Sequence, residues 1–183
     1  MSDFTRLNTT LDQVWQRLGR GVADRRAPAR HPVLATVGAA GGAEARAVVL
    51  RGADRADGTL TVHTDAASAK VREIEAAPRG TLLVWDARAR LQIRTRATFD
   101  LRRGTTDEWA ALGDGARAVY GGTPVPGDAI ASPEAHNPTP DPSRFTIITA
   151  RIDEIETLQL GQDRHRRAVF CRGDGFMGKW LAP

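Results

Sequence analysis

Hydrophobic residues recur at helical spacing in one stretch of the chain, and two further stretches predict helices. Residues 9–20 predict a helix that ends at Gly21, because apolar side chains return every three or four positions. These side chains are Leu11, Val14, Trp15 and Leu18. Residues 69–77 predict a second, shorter helix with Ser68 as its N-cap. Residues 105–120 predict a third helix, interrupted by its glycines.

Most of the remaining chain consists of short segments rich in Val, Leu, Ile and Thr that are separated by turns. They predict about seven strands, without the alternation of strand and helix that a parallel sheet requires. The segments are HPVLATVG, EARAVVLRG, TLTVHTD, TLLVWD, LQIRTRATF, FTIITARIDEIETLQL, HRRAVFCR and a short last strand ending in WLAP. We therefore expect a mainly β fold, an antiparallel barrel with peripheral helices, in one domain of 183 residues. Residues 121–143, rich in Pro and Gly, predict a long irregular loop.

Composition narrows the classes of function. The net charge is +4 and the aromatic content is 5%. The basic residues are spread along the chain, so a small anionic ligand suits this charge at least as well as a nucleic acid does. No apolar run is long enough to span a membrane and no signal peptide pattern is present, so we expect a cytoplasmic protein. Cys171, the only cysteine, excludes an internal disulfide, and the four histidines lack zinc-site spacing.

The stretch TVHTDAASAK combines a strand, a hydroxyl-rich loop and the start of a helix. An Asp-Gly turn before it predicts a hairpin with RAVVLR, interpreted as one strand from Arg46 to Arg51. This pairing would bring Thr64 near Arg46, with Ser68 and Lys70 following at the helix start. Two cations, two hydroxyls and a helix N-terminus suit a phosphate. The alternative is an ordinary helix cap beside solvated side chains.

Two further places carry candidate chemistry. In LQIR, Gln92 and Arg94 share one face of a strand. An amide that both donates and accepts can recognise the edge of a heterocycle, although the same pattern fits a solvent-facing position. The run Asp163-Arg164-His165-Arg166-Arg167 suits either anion recognition or a solvated rim, and its spacing leaves both open.

In this order, these motifs resemble the pyridoxamine 5′-phosphate oxidase family. The resemblance runs from about residue 31 to 183 through RAVVLRG, HTDAASAK, TLLVWDARARLQIRTRA and HRRAVF…WLAP. It implies a split barrel that forms a homodimer and binds flavin mononucleotide (FMN) between its subunits. It implies phosphate contacts from Arg46 and Lys70 and a ring-edge contact from Gln92. The implied FMN-binding positions are Arg46, Val48, Val49, Leu50, His63, Thr64, Ser68, Lys70 and Gln92.

The substrate side departs further from the family. Ala69 stands where the biosynthetic enzyme has an arginine, and Arg51 stands where it has a lysine. The substrate candidates are Arg51, Arg117, His165 and Arg167, and Ser132 is a candidate for contact with a partner subunit's FMN. We expect an FMN-dependent oxidoreductase that acts on a small substrate, with no metal ion and no nucleic-acid or membrane partner. The alternatives are a flavin-storage protein without turnover, or a relative that uses deazaflavin or haem.

Overall fold

The computed structural model describes residues 4–183, which begin with a helix packed against a sheet. The helix predicted over 9–20 spans Leu7–Ala23 (α1) and buries the four apolar side chains that predicted it. Gly21 does not end this helix as predicted. It lies inside the last turn, where a Cβ atom would stand 2.6 Å from the backbone of Ala29, so the close approach of the next segment requires glycine.

Beyond α1, residues 4–183 contain nine strands and three short helices. The strands are β1 (Val33–Val37), β2 (Ala43–Ala47), β3 (Leu50–Asp54), β4 (Thr59–Asp65), β5 (Arg79–Asp86), β6 (Leu91–Arg103), β7 (Phe145–Gln159), β8 (Arg166–Cys171) and β9 (Lys179–Leu181). The helices are α2 (Ala69–Ala76), α3 (Thr106–Ala110) and α4 (Asp114–Arg117). Single 3₁₀ turns lie at Pro28–Arg30, Pro133–Ala135, Pro142–Arg144 and Arg172–Asp174.

The strands form one antiparallel sheet in the order β2-β1-β5-β6-β7-β4-β3, with β8 and β9 added beside the second half of β7. The prediction of one strand from Arg46 to Arg51 is wrong, because β2 and β3 lie at opposite ends of this order. Val48 and Val49 join them, and the Val48 N–H donates to the carbonyl of Pro32 at 2.9 Å. The chain thus crosses from one edge of the sheet to the other. The predicted antiparallel split barrel is confirmed.

Inward side chains of the strands fill the barrel, and Leu34, Leu50, Ile93, Ile155 and Phe170 are almost fully buried there. A second apolar group, here named the aromatic cluster, lies on the other face of β4 and β7. It consists of Tyr120, Phe145 and Ile147, with Trp109 and Leu112 packed against them. The aromatic cluster attaches the segment that carries α3 and α4 to the sheet. That segment was predicted as one interrupted helix. It forms two short helices, and Gly113 is the N-cap residue of the second, α4.

The long Pro- and Gly-rich connection is mostly exposed, and both of its ends are fixed to Asp65 at the end of β4. Asp65 is buried, with 5% of its surface exposed. Its carboxylate accepts from the N–H of Gly121 at 2.8 Å and from Nε of Arg144, also at 2.8 Å. One buried carboxylate therefore fixes both ends of a loop of more than twenty residues next to Thr64. No helix among residues 4–183 combines the length and apolar character needed to cross a membrane.

Candidate functional site

The structure brings Thr64, Ser68 and Lys70 together where β4 ends and α2 begins. Lys70 Nζ donates to the Thr64 hydroxyl at 3.2 Å, and the hydroxyls of Thr64 and Ser68 are 3.0 Å apart. Ser68 is the N-cap residue of α2, as predicted, but its side chain forms no cap hydrogen bond and contacts Thr64 instead. Both hydroxyls are buried, so this hydrogen-bonded pair holds the ammonium group of the lysine in place.

Arg46 reaches this site from β2 and not through the predicted hairpin. It is paired in register with Leu34 of β1, and α2 packs against that strand. Its guanidinium donates to Glu73 of α2 at 2.7 Å and to the hydroxyl of Thr36. The sequence interpretation missed both partners. The three-residue spacing of Lys70 and Glu73 on a helix was the available signal, because such residues lie on one face.

The electrostatics of this site favour an anion. Burial and then the nearby charge of Arg46 lower the pKa of Lys70, while the carboxylates of Glu73 and Asp65 act in the opposite direction. Two half-buried cations placed side by side repel each other and have lost part of their hydration. A phosphate would offset both costs and would accept hydrogen bonds from the lysine, the arginine and the hydroxyls. The residues present therefore fit the phosphate of a nucleotide cofactor.

A second polar group surrounds Arg51 beneath the segment that follows α4. Burial raises the pKa of Tyr120, while the charge of Arg51 and its hydrogen bond with the phenol lower it. Burial and then the charge of Arg51 lower the pKa of His63 to about 4, so this imidazole is neutral at pH 7. Its Nδ1 is buried without a hydrogen-bond partner in the described chain, and its ring meets Phe145 edge-on at 4.9 Å. Arg51 thus places a positive charge among mainly aromatic side chains.

Gln92 lies on the outer face of β6, between Trp85 of β5 and Leu158 of β7. Two residues along β6 on the same face, Arg94 donates to Glu156 at 2.6 Å, and Arg167 of β8 donates to the same carboxylate at 3.1 Å. The Nε atoms of both arginines are buried and have no acceptor within the described chain. Two arginine side chains oriented by one carboxylate therefore lie beside Gln92 on this face.

The remaining predicted residues are more dispersed. The side chains of Val48 and Leu50 lie in the barrel core, so only their backbone could contact a ligand, whereas Val49 is half-buried. Arg117 donates to the carbonyls of Trp109 and Ala110 and so stabilises its own turn. Ser132 is exposed in the long loop.

A cleft of about 790 Å³ lies beside the C-terminal strands. It is lined by the run from Asp163 to Arg167, which includes the exposed His165, together with Trp180 and Leu181. It therefore combines a basic wall with an aromatic side chain. Within residues 4–183, no group of three or more His, Cys, Asp or Glu side chains could hold a metal ion.

Comparisons with known proteins identify the family and the fold. The family model described as pyridoxamine 5′-phosphate oxidase, FMN-binding domain, matches residues 12–102. A pyridoxamine 5′-phosphate oxidase-related, FMN-binding protein from Nostoc punctiforme PCC 73102 is 25% identical, with 94% of this chain and 96% of that chain covered and a TM-score of 0.78.

Two more distant structures share the fold. PhzG from Burkholderia lata 383, in complex with tetrahydrophenazine-1-carboxylic acid, is 21% identical, with coverage of 99% of this chain and 95% of that chain and a TM-score of 0.73. A protein related to general stress protein 26 from Clostridium acetobutylicum is 11% identical, with coverage of 89% and 97% and a TM-score of 0.59. No curated protein sequence matches the chain.

Proposed function

This chain belongs to the pyridoxamine 5′-phosphate oxidase-like family of FMN-binding split barrels, and from that premise we propose that it is an FMN-dependent oxidoreductase. The observation that carries the proposal is the meeting of Arg46 and Lys70 with the hydroxyls of Thr64 and Ser68. In a chain of this family, such a site is where the FMN phosphate would bind.

Each residue of the site has a role that follows from its chemistry. Arg46 and Lys70 hold the phosphate by charge, and Thr64 and Ser68 orient the lysine. Gln92 hydrogen-bonds the edge of the flavin ring, with the side chains of Arg94 and Arg167 on the same face. Bound FMN would supply hydride or electron transfer, and the protein sets its position and polarity.

The substrate would meet the flavin beside Arg51. The guanidinium supplies the positive charge, Tyr120 supplies a hydroxyl, and the aromatic cluster supplies an apolar wall. His63 contributes a neutral imidazole near pH 7, because its pKa is about 4. This combination suits a small, partly aromatic substrate with a negatively charged group.

The first prediction is that the purified protein is yellow or takes up added FMN with a saturating change in absorbance. Denaturation should release a compound with the mass of FMN, which distinguishes it from deazaflavin and haem. A colourless protein that fails to bind added FMN would contradict the proposal. Anaerobic reduction of the bound flavin by pyridoxamine or pyridoxine phosphate tests the biosynthetic activity, and any substrate-dependent reduction excludes simple flavin storage.

We also propose that the protein is a homodimer with FMN between its subunits. In register, the outer face of β2, β1 and β5 combines the small side chains of Ala43 and Ala45 with Val37 and Leu83. Trp85 continues that face and is 49% exposed, and Val37 is 45% exposed. An apolar sheet face with an exposed tryptophan beside oriented arginine donors is suited to burial against a second copy.

The second prediction is that Trp85→Arg converts the dimer to a monomer, because it places an unpaired charge on the apolar face. Light scattering coupled to size-exclusion chromatography measures the mass. Met177→Arg is the matched control, because Met177 is 75% exposed and lies on the turn before β9. The proposed interface is wrong if the wild type is monomeric or if Trp85→Arg remains dimeric.

A further inference from the structure

Glu73 is the one acidic side chain that contacts a cation of the phosphate site directly within the described chain. Its Oε2 accepts from Arg46 Nη2 at 2.7 Å and from the Thr36 hydroxyl at 2.5 Å. Arg46 also donates to Thr36, so the three side chains close a triangle. The Glu73 side chain is 10% exposed and that of Arg46 is 23% exposed. A half-buried pair of this geometry is a defined part of the site and not a chance surface contact.

The carboxylate changes the charge that a ligand meets. Arg46 and Lys70 contribute two positive charges, and Glu73 removes one of them before any ligand binds. A phosphate monoester carries a charge of about −2 at neutral pH. A bound phosphate must therefore share Arg46 with the carboxylate of Glu73, which is also negatively charged. The carboxylate holds two neighbouring cations together in the free protein but repels the phosphate in the complex.

We propose that Glu73 is a built-in counter-ion of Arg46 that limits the affinity of this site for phosphate and keeps the phosphate ligand exchangeable. The residue positions Arg46 and competes with the ligand for it. It acts mainly on the dissociation of the ligand, since short-range changes at one interface alter release more than encounter. The inference rests on the proposed function for the identity of the ligand as FMN, but its electrostatic part applies to any phosphate held there.

The variant that separates charge from shape is Glu73→Gln. The amide oxygen still accepts from Arg46 and Thr36, while the negative charge is lost. We expect FMN to bind about tenfold more tightly, the order expected for one charge removed near a dianion at the dielectric of a protein surface. Glu75→Gln is the matched control, because Glu75 lies two residues further along α2 with an exposed side chain.

Affinities are measured for FMN, for riboflavin and for inorganic phosphate, the last by its protection against thermal unfolding. The proposal expects tighter FMN and phosphate binding in Glu73→Gln alone, unchanged riboflavin binding, and slower loss of FMN on dilution. Equal or weaker FMN binding in Glu73→Gln would overturn it and leave the FMN function standing. If the wild type binds no FMN, the proposed function fails, and the phosphate measurement decides this proposal: tighter binding supports it and equal binding overturns it.

Discussion

Replacing Lys70 by alanine is expected to weaken FMN binding by about 1.5–3 kcal/mol, the range for a hydrogen bond to a charged group. Lys70 is half-buried, Thr64 holds its ammonium at 3.2 Å, and Arg46 lies close enough to lower its pKa. A cation fixed in this way has already lost much of its freedom, so its attraction to a phosphate is not offset by ordering a long side chain. Arg46→Ala is expected to have an effect of the same size.

Titration of flavin fluorescence measures this loss, with riboflavin as the ligand that lacks a phosphate. Riboflavin affinity should be nearly unchanged in both variants, because the lost contacts are to the phosphate. Arg26→Ala is a control that removes one exposed positive charge from the turn after α1. FMN affinities that stay at the wild-type value in both Lys70→Ala and Arg46→Ala would mean that the phosphate binds elsewhere.

The affinity should also depend on pH with a defined sign. Burial and Arg46 lower the pKa of Lys70 in the free protein, and a bound phosphate favours the charged ammonium. FMN binding therefore raises this pKa and takes up a proton at pH values between the free and bound pKa. The affinity falls as the pH rises through the lowered pKa of the free protein. Lys70→Ala should lose this part of the pH dependence.

The sequence predicted those parts of the fold that local patterns determine. TLTVHTD was predicted as a strand, and β4 spans Thr59–Asp65 with the same residues. RAVVLR was misinterpreted as one strand, because its alternation continues through Val48 and Val49 although the chain there leaves one sheet edge for the other. No local signal marks such a crossing, since both valines are good strand formers. The pairing of β2 with β1 and of β3 with β4 determines where the two strands end.

The same distinction applies to the site. Lys70, Ser68 and Thr64 are close in sequence, so a strand followed by a helix was enough to place them together. Asp65 and Glu73 were missed because their partners are distant in the chain: Asp65 binds Arg144, and Glu73 binds Arg46. An acidic residue in a loop or helix predicts nothing about a partner that only the folded barrel brings near.

The aromatic cluster explains how the side chains around Arg51 are held in place. Phe145 is fully buried, with its ring 5.1 Å from that of Tyr120 and 5.8 Å from that of Trp109. A Cβ atom on Gly104 would collide with its ring, so the neighbouring backbone also packs directly on it. Tyr120 and His63 both contact this ring, and both border Arg51. The packing around Arg51 therefore depends on one phenylalanine.

Phe145→Ala is expected to lower the free energy of unfolding by about 3–5 kcal/mol, because it leaves a cavity where three aromatic rings meet. At roughly 2–4 °C per kcal/mol for a chain of this size, the melting temperature should fall by about 6–20 °C. Urea unfolding followed by tryptophan fluorescence measures the loss. Val119→Ala is the control. It should change the free energy of unfolding by less than about 0.5 kcal/mol, because Val119 is 61% exposed. FMN affinity of the folded variant should change little, since the ring packs against His63, and the side chains of His63 and Thr64 point to opposite faces of β4. A small loss of unfolding free energy would mean that the aromatic cluster does not attach the α3–α4 segment to the sheet. A large loss of FMN affinity would mean that the phosphate site and the aromatic cluster form one site.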